Sequence, residues 1–116
     1  MPNPSATLAQ LVEVLGMEEV RSLVQLYLDH TAAELQGLGG APIDKQILKV
    51  HAIKGSSSQI GAKLFSAQCR SVEMRLRETR ELLTTDELTA LQNEFTTASD
   101  QLRDWLTQNP PQDGTA

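Results

Sequence analysis

The chain has 116 residues, with 10 Lys and Arg against 15 Asp and Glu, a formal net charge of −5 and only 3% aromatic residues. That length can bury a core without metals or disulfides, while the acidic balance and scarce aromatics weigh against nucleic acid as a partner. The single cysteine, Cys69, cannot close a bridge within the chain, no run is apolar enough to span a membrane, and Met1-Pro2-Asn3-Pro4 lacks the basic and apolar regions of a signal peptide, so a cytoplasmic protein, or the cytoplasmic part of a larger one, is expected.

Apolar spacing is helical along the chain, and no stretch alternates as a strand would. The spacing predicts a first helix over residues 6–15, with Ser5 as its cap and Gly16 as its stop. A second follows from Met17 to Leu38 on the stripe Val20, Leu23, Val24, Tyr27, Thr31, Leu35 and Leu38. Gly39-Gly40-Ala41-Pro42 then breaks the chain. The third helix starts at Ile43 or Asp44 and runs to Ile60, with Gly61 as its stop. A fourth is expected over residues 62–83 on Phe65, Cys69, Val72 and Leu76. The fifth opens with a capping box, Thr84 and Glu87, and continues through Leu88, Leu91, Phe95, Ala98, Leu102 and Leu106 to Asn109-Pro110-Pro111. The expected fold is all-α: an antiparallel up-and-down four-helix bundle with the short first helix as a lid across one end. One domain over residues 1–116 is expected, with its core at about 17–107 and a frayed tail over 108–116.

The third helix contains the most unusual run in the chain, His51-Ala52-Ile53-Lys54-Gly55-Ser56-Ser57. A glycine in a helix interior costs about 1 kcal/mol relative to alanine, and such a cost marks a packing or functional requirement. On a helical wheel Ile43, Val50, Ile53, Ser57 and Ile60 gather on the core face, and His51 lies about 100° from Val50, pointing outward. Its outward neighbours are Ile47, Leu48, Lys54, Gly55 and Ser58. Two large aliphatics beside a histidine, a lysine and a glycine make a docking surface, with Ile47, Leu48 and Ser58 as its rim. A lone helical histidine is ordinarily a plain surface or satisfied core residue, but that reading explains neither the glycine nor the aliphatics.

Charge supports the same surface. From Asp44 to Lys63 there are four lysines (Lys45, Lys49, Lys54, Lys63) and one acid, a balance of +3 that leaves −8 for the remainder. This basic island suits an acidic partner pocket or a phosphoryl group. An outward imidazole is a neutral nucleophile near cellular pH, and Lys54, one turn on, can set an ammonium beside a phosphoryl group on the ring. Gly55 removes the side chain that would stop another protein closing over the histidine. Ser56 and Ser57 are small, and Ser57 faces inward, to bond a carbonyl one turn back or to let a neighbouring helix approach.

His-x-x-Lys-Gly-Ser-Ser, followed by Gly61-Ala62 and then Cys69 and Glu73, resembles the histidine-containing phosphotransfer (HPt) domains of multistep two-component phosphorelays. The similarity extends through Leu26-Tyr27-Leu28 and Arg77, covering residues 17–80. It implies an exposed, phosphorylated His51, a Lys54 that aids the phosphoryl group and a Gly55 that permits receiver docking. It also implies a polar residue on the following helix that holds the other imidazole nitrogen, a position matched by Glu73, with Gln68 the second candidate. The linker Gly39-Gly40-Ala41-Pro42 replaces the family's usual acidic link.

The implied chemistry is reversible phosphoryl transfer between a receiver aspartate and Nε2 of His51. The chain has no Gly-rich phosphate loop, Walker pattern or carboxylate cluster, so it is expected to lack a kinase or ATP site and to bind no cofactor, with Mg²⁺ on the partner receiver. Expected partners are receiver domains of response regulators and of hybrid histidine kinases, met by a monomer, with no nucleic acid and no membrane. The competing readings are a receiver-binding scaffold that carries no phosphate, which would ordinarily have lost His51 or Lys54, and the phosphotransfer module of a larger hybrid or chemotaxis-type kinase, against which the methionine start and polar end favour a free-standing carrier. A metal site from His51, His30 and Cys69 lacks useful ligand spacing, and none is expected.

Overall fold

The computed structural model describes residues 3–111, and these form five helices and no strand: α1 (Ser5–Leu15), α2 (Met17–Leu38), α3 (Ile43–Ile60), α4 (Lys63–Thr79) and α5 (Thr85–Gln108). The expected all-α class and helix order are therefore present, and the boundaries of α2 and α3 agree with the apolar spacing. Helix α3 packs most extensively on α4; α2 packs on α3 and α5, α4 on α5, and α1 on α2 and α3. Among the described residues no helix is long and apolar enough to cross a membrane.

Two helix ends differ from expectation, each for a local reason. Helix α1 begins at Ser5 itself, whose N–H donates to Asn3 Oδ1 at 2.9 Å, so Asn3 rather than Ser5 supplies the capping oxygen. Helix α4 ends at Thr79, not at residue 83, because Arg80 turns into the left-handed region at φ 57°. The loop after it is organised from within α4: the Arg75 guanidinium donates to Thr79 Oγ1 and the Glu81 carbonyl at 2.9 Å, to the Leu82 carbonyl at 3.2 Å, and pairs with Glu87. Leu83 is buried, its N–H bonded to Gln46 Oε1 at 2.9 Å. Helix α5 ends at Gln108 against the expected stop at Asn109-Pro110-Pro111, so only the first residue of the expected tail belongs to the helix; Arg21 donates to the carbonyls of Leu106 and Asn109, and residues 112–116 lie outside the described ones.

The two ends that matter most for position match their sequence signals. The Thr84 and Glu87 capping box is complete, both reciprocal bonds being present. Gly61 closes α3 at φ 91°: its N–H donates to the Ser58 carbonyl at 3.2 Å, and the Ala62 N–H to the Ser57 carbonyl at 2.9 Å. This is a Schellman closure, and it sends the chain sharply from α3 into α4. A Cβ at Gly61 would also lie 2.8 Å from Thr7 Cβ and 3.2 Å from Pro4 Cα, so the start of α1 seats on this turn.

The core runs between the helices through Leu8, Val20, Val24, Leu38, Val50, Phe65, Leu76, Leu91 and Leu102, all at most 1% exposed. Phe95 meets Tyr27 edge-on at 6.2 Å and Phe65 at 5.5 Å, joining α2, α4 and α5. Gln46 is fully buried and spends both ends of its amide on backbone, Nε2 on the Leu38 carbonyl (3.1 Å) and Oε1 on the Leu83 N–H. It thereby clamps the N-terminal end of α3 between two loops.

Candidate functional site

His51 leaves α3 on its outward side, its side chain 57% exposed. Its Nδ1 lies 3.0 Å from Oε2 of Glu73, on the adjacent α4. Glu73 is 5% exposed, and Lys54 Nζ approaches its Oε1 at 2.8 Å while Arg77 sets Nε at 2.9 Å and Nη2 at 2.8 Å from Oε2. Burial works against ionisation of Glu73, but the bonds from Lys54, Arg77 and His51 outweigh it and hold its pKa down at about 2, against an ordinary 4.5. An ionised carboxylate only accepts, so the ring nitrogen facing it must carry the proton. The neutral imidazole therefore holds hydrogen on Nδ1 and a free lone pair on Nε2.

Local geometry locks this arrangement. Ser66, in the first turn of α4, donates its hydroxyl to the Lys54 carbonyl at 2.9 Å, joining the two helices beside the histidine. Ser57 is fully buried and shares a 2.6 Å hydrogen bond with the Tyr27 hydroxyl, so its inward partner is α2 rather than a carbonyl of its own helix. Ser56 instead bonds back to the carbonyls of Ala52 and Ile53, both at 3.2 Å. Cys69 is 1% exposed, and burial, with the Glu73 charge, pushes its thiol up to about 12, which leaves it an inert packing group. Burial raises Tyr27 to about 12 as well.

Gly55 is exposed, and a Cβ added there would meet nothing within 4 Å. Packing within the chain thus gives no reason for a glycine in this helix. Leu48 is 64% exposed, on the outward side as expected. Ile47 is not: it is 4% exposed and belongs to the core, which corrects its place on the docking rim. Helix α3 is flanked by both α2 and α4, so its buried arc is wider than its most apolar letters indicate and takes in Gln46 and Ile47. Ser58 is exposed and lines a cleft beside Gly55, with Lys54, Lys63 and Arg70 as its cations. Gln68 makes no hydrogen bond to His51, its Oε1 being buried without a partner, so of the two candidates only Glu73 holds the ring.

Two parts of the site escaped the sequence. Arg77 stands one turn after Glu73, a legible ion-pair spacing, yet only the fold shows that this pair lies under the histidine. An apolar groove of about 580 Å³ also opens on the other side of Gly55 and Ser56, walled by Leu11 and Leu15 of α1 and by Leu23 and Leu26 of α2, with Leu26 65% exposed. Leu26 lies off the core stripe of α2, which is the one signal for it. His30 pairs loosely with Glu34 at 3.8 Å and is not brought to His51 or Cys69; among the described residues no cluster of three or more His, Cys, Asp or Glu could hold a metal.

No curated protein and no solved structure matches the chain. The Hpt domain family does match, over residues 22–108, a span that begins in α2, ends with α5 and includes His51, Lys54, Gly55 and Glu73. On that match, three quarters of its length, the chain belongs to the Hpt domain family, the histidine phosphotransfer modules of two-component phosphorelays.

Proposed function

We propose that this protein is a histidine phosphocarrier: His51 accepts a phosphoryl group from a receiver-domain aspartate and passes it to another receiver. The observation that carries the reading is an exposed imidazole whose Nδ1 is held by the buried Glu73 carboxylate, beside a lysine and an empty glycine flank. In the transfer, the Nε2 lone pair attacks phosphorus and the bond to the aspartyl oxygen breaks, its electron pair returning to the receiver carboxylate. No proton has to move. The ring, still protonated on Nδ1, gains positive charge as the N–P bond forms, and Glu73 stabilises it as the buried carboxylate of a catalytic triad stabilises its imidazolium. Lys54 neutralises the phosphoryl oxygens.

The rest of the reading follows from what the chain supplies. It offers nucleophile, lysine and docking face, with no ATP site of its own; Mg²⁺ belongs to its partners, the receivers of response regulators and of hybrid kinases. These dock over Gly55, with Leu48 and the Leu26 groove as apolar contacts and Ser58, Lys63 and Arg70 facing the receiver's acidic rim. The domain acts in the cytoplasm as a monomer. Its α2 to α5 form an antiparallel four-helix bundle, a reading supported by the closed ring of contacts α2–α3–α4–α5–α2, the short connections and a 22 × 22 Å cross-section that accommodates two helices each way.

Incubation with a radiolabelled phosphoreceiver tests the proposal. The expected result is an acid-labile, base-stable label on this chain and none on His51→Gln; a label that persists in the variant, or transfer from no receiver of the source organism, refutes it.

A further inference from the structure

We infer that Arg77 is a positioning residue for transfer: it keeps the buried Glu73 carboxylate compensated so that Lys54 is free to leave Glu73 for the phosphoryl group. The inference rests on the phosphocarrier reading and concerns how its site is powered. Before transfer Lys54 is already engaged, its Nζ 2.8 Å from Glu73 Oε1. The group assigned to the incoming phosphoryl oxygens is thus held by an internal anion. Were Lys54 the sole counter-ion, moving it would strand a carboxylate that is 6% exposed, and a buried charge left unpaired is strongly unfavourable.

Arg77 removes that obstacle. It places two donors, Nε at 2.9 Å and Nη2 at 2.8 Å, on Oε2, the oxygen that also receives His51 Nδ1–H at 3.0 Å. The labour is therefore divided by oxygen: Oε1 holds the lysine, and Oε2 holds the ring and the arginine. When Lys54 swings away only Oε1 is vacated, and the bonds that orient the imidazole stay in place. Anchoring fits the assignment. Lys54 makes a single contact with Glu73 and is 28% exposed, enough for its head to reach outward, while Arg77, though 53% exposed, is anchored by two nitrogens on one oxygen and by an i,i+4 pair on the same helix as Glu73. Charge fits as well. Phosphorylation sets a second anion beside Glu73, and two cations then face two anions, each with its own partner. A guanidinium suits the fixed task because its charge is permanent and its donors are rigidly spaced, whereas the flexible ammonium suits the moving one.

A double-mutant cycle separates this role from mere support of the fold. Transfer from a phosphorylated receiver is timed for the wild type, Arg77→Met, Lys54→Met and the double variant, with receiver affinity and thermal melting measured alongside. Each single substitution is expected to slow transfer about ten-fold at unchanged receiver affinity; the double variant, whose Glu73 keeps neither cation, should melt lower than either single variant yet transfer no more slowly than Lys54→Met alone, because without Arg77 the lysine stays locked on Glu73. Arg77→Lys should recover most of the rate. Effects of Arg77→Met and Lys54→Met that multiply, or a rate untouched by Arg77→Met, overturn the inference while leaving the phosphocarrier reading intact. A wild type that takes no label removes that reading first, and the inference with it.

Discussion

Replacing Glu73 with alanine is expected to slow transfer to His51 by about 100-fold without weakening receiver binding, by analogy with the loss of other groups that orient an imidazole. Glu73 is buried, so it cannot touch the partner; its effect passes through the ring, Lys54 and Arg77. Alanine removes both the acceptor that fixes the Nδ1–H tautomer and the charge that answers the developing imidazolium. Glu73→Gln keeps an acceptor and loses the charge, so it should fall between, at roughly ten-fold. The cations left behind are 28% and 53% exposed and can rehydrate, which keeps the variants folded. Rapid-quench transfer assays with a separate binding measurement check the split, and parallel loss of rate and affinity would contradict it. A pH signature accompanies the substitution. The folded-state pKa of Glu73 is lowered, to about 2 from 4.5, so its stabilising contribution is complete above 4.5 and is lost as pH falls through about 2. The stability gap between wild type and Glu73→Gln should accordingly narrow over that interval in acid titrations.

Substitution of Gly55 should separate stability from function in the opposite sense. Because a Cβ there meets nothing, Gly55→Ala is expected to stabilise the protein by about 0.5–1 kcal/mol through helix propensity alone. Gly55→Gln should leave the melting temperature undiminished yet weaken receiver binding roughly 100-fold, about 2.7 kcal/mol, by filling the space a docked partner needs. Calorimetric titration with a receiver and thermal melts of both variants decide the matter. Undiminished affinity in Gly55→Gln would place the docking surface elsewhere.

The helices were legible because their signals are local: apolar stripes, the Thr84–Glu87 box, and the glycines at 16 and 61 act within one or two turns. Where a boundary depends on a distant partner, spacing fails. Nothing near Leu83 announces that Arg75 and Gln46 will fold its segment into a loop. The outward direction of His51 and Leu48 could be read from a wheel, but Ile47 could not, since the width of a buried arc is set by how many helices flank it. The pairings around His51 fall in the same class. Glu73 could be nominated from resemblance, yet its sharing among His51, Lys54 and Arg77 is a tertiary fact, made by the tight Gly61–Ala62 turn that lays α4 along α3.

In the proposed transfer Nε2 of His51 carries the phosphoryl group while Nδ1 stays protonated and bonded to Glu73. Long-range ¹H–¹⁵N and ³¹P spectra of the histidine-labelled protein, recorded before and after phosphorylation, test it directly, with His30 as an internal reference. The expected result is an Nδ1–H tautomer for His51 beforehand and a ³¹P–¹⁵N coupling to its Nε2 afterwards, with His30 unchanged. Coupling to Nδ1, or to either nitrogen of His30, would contradict it.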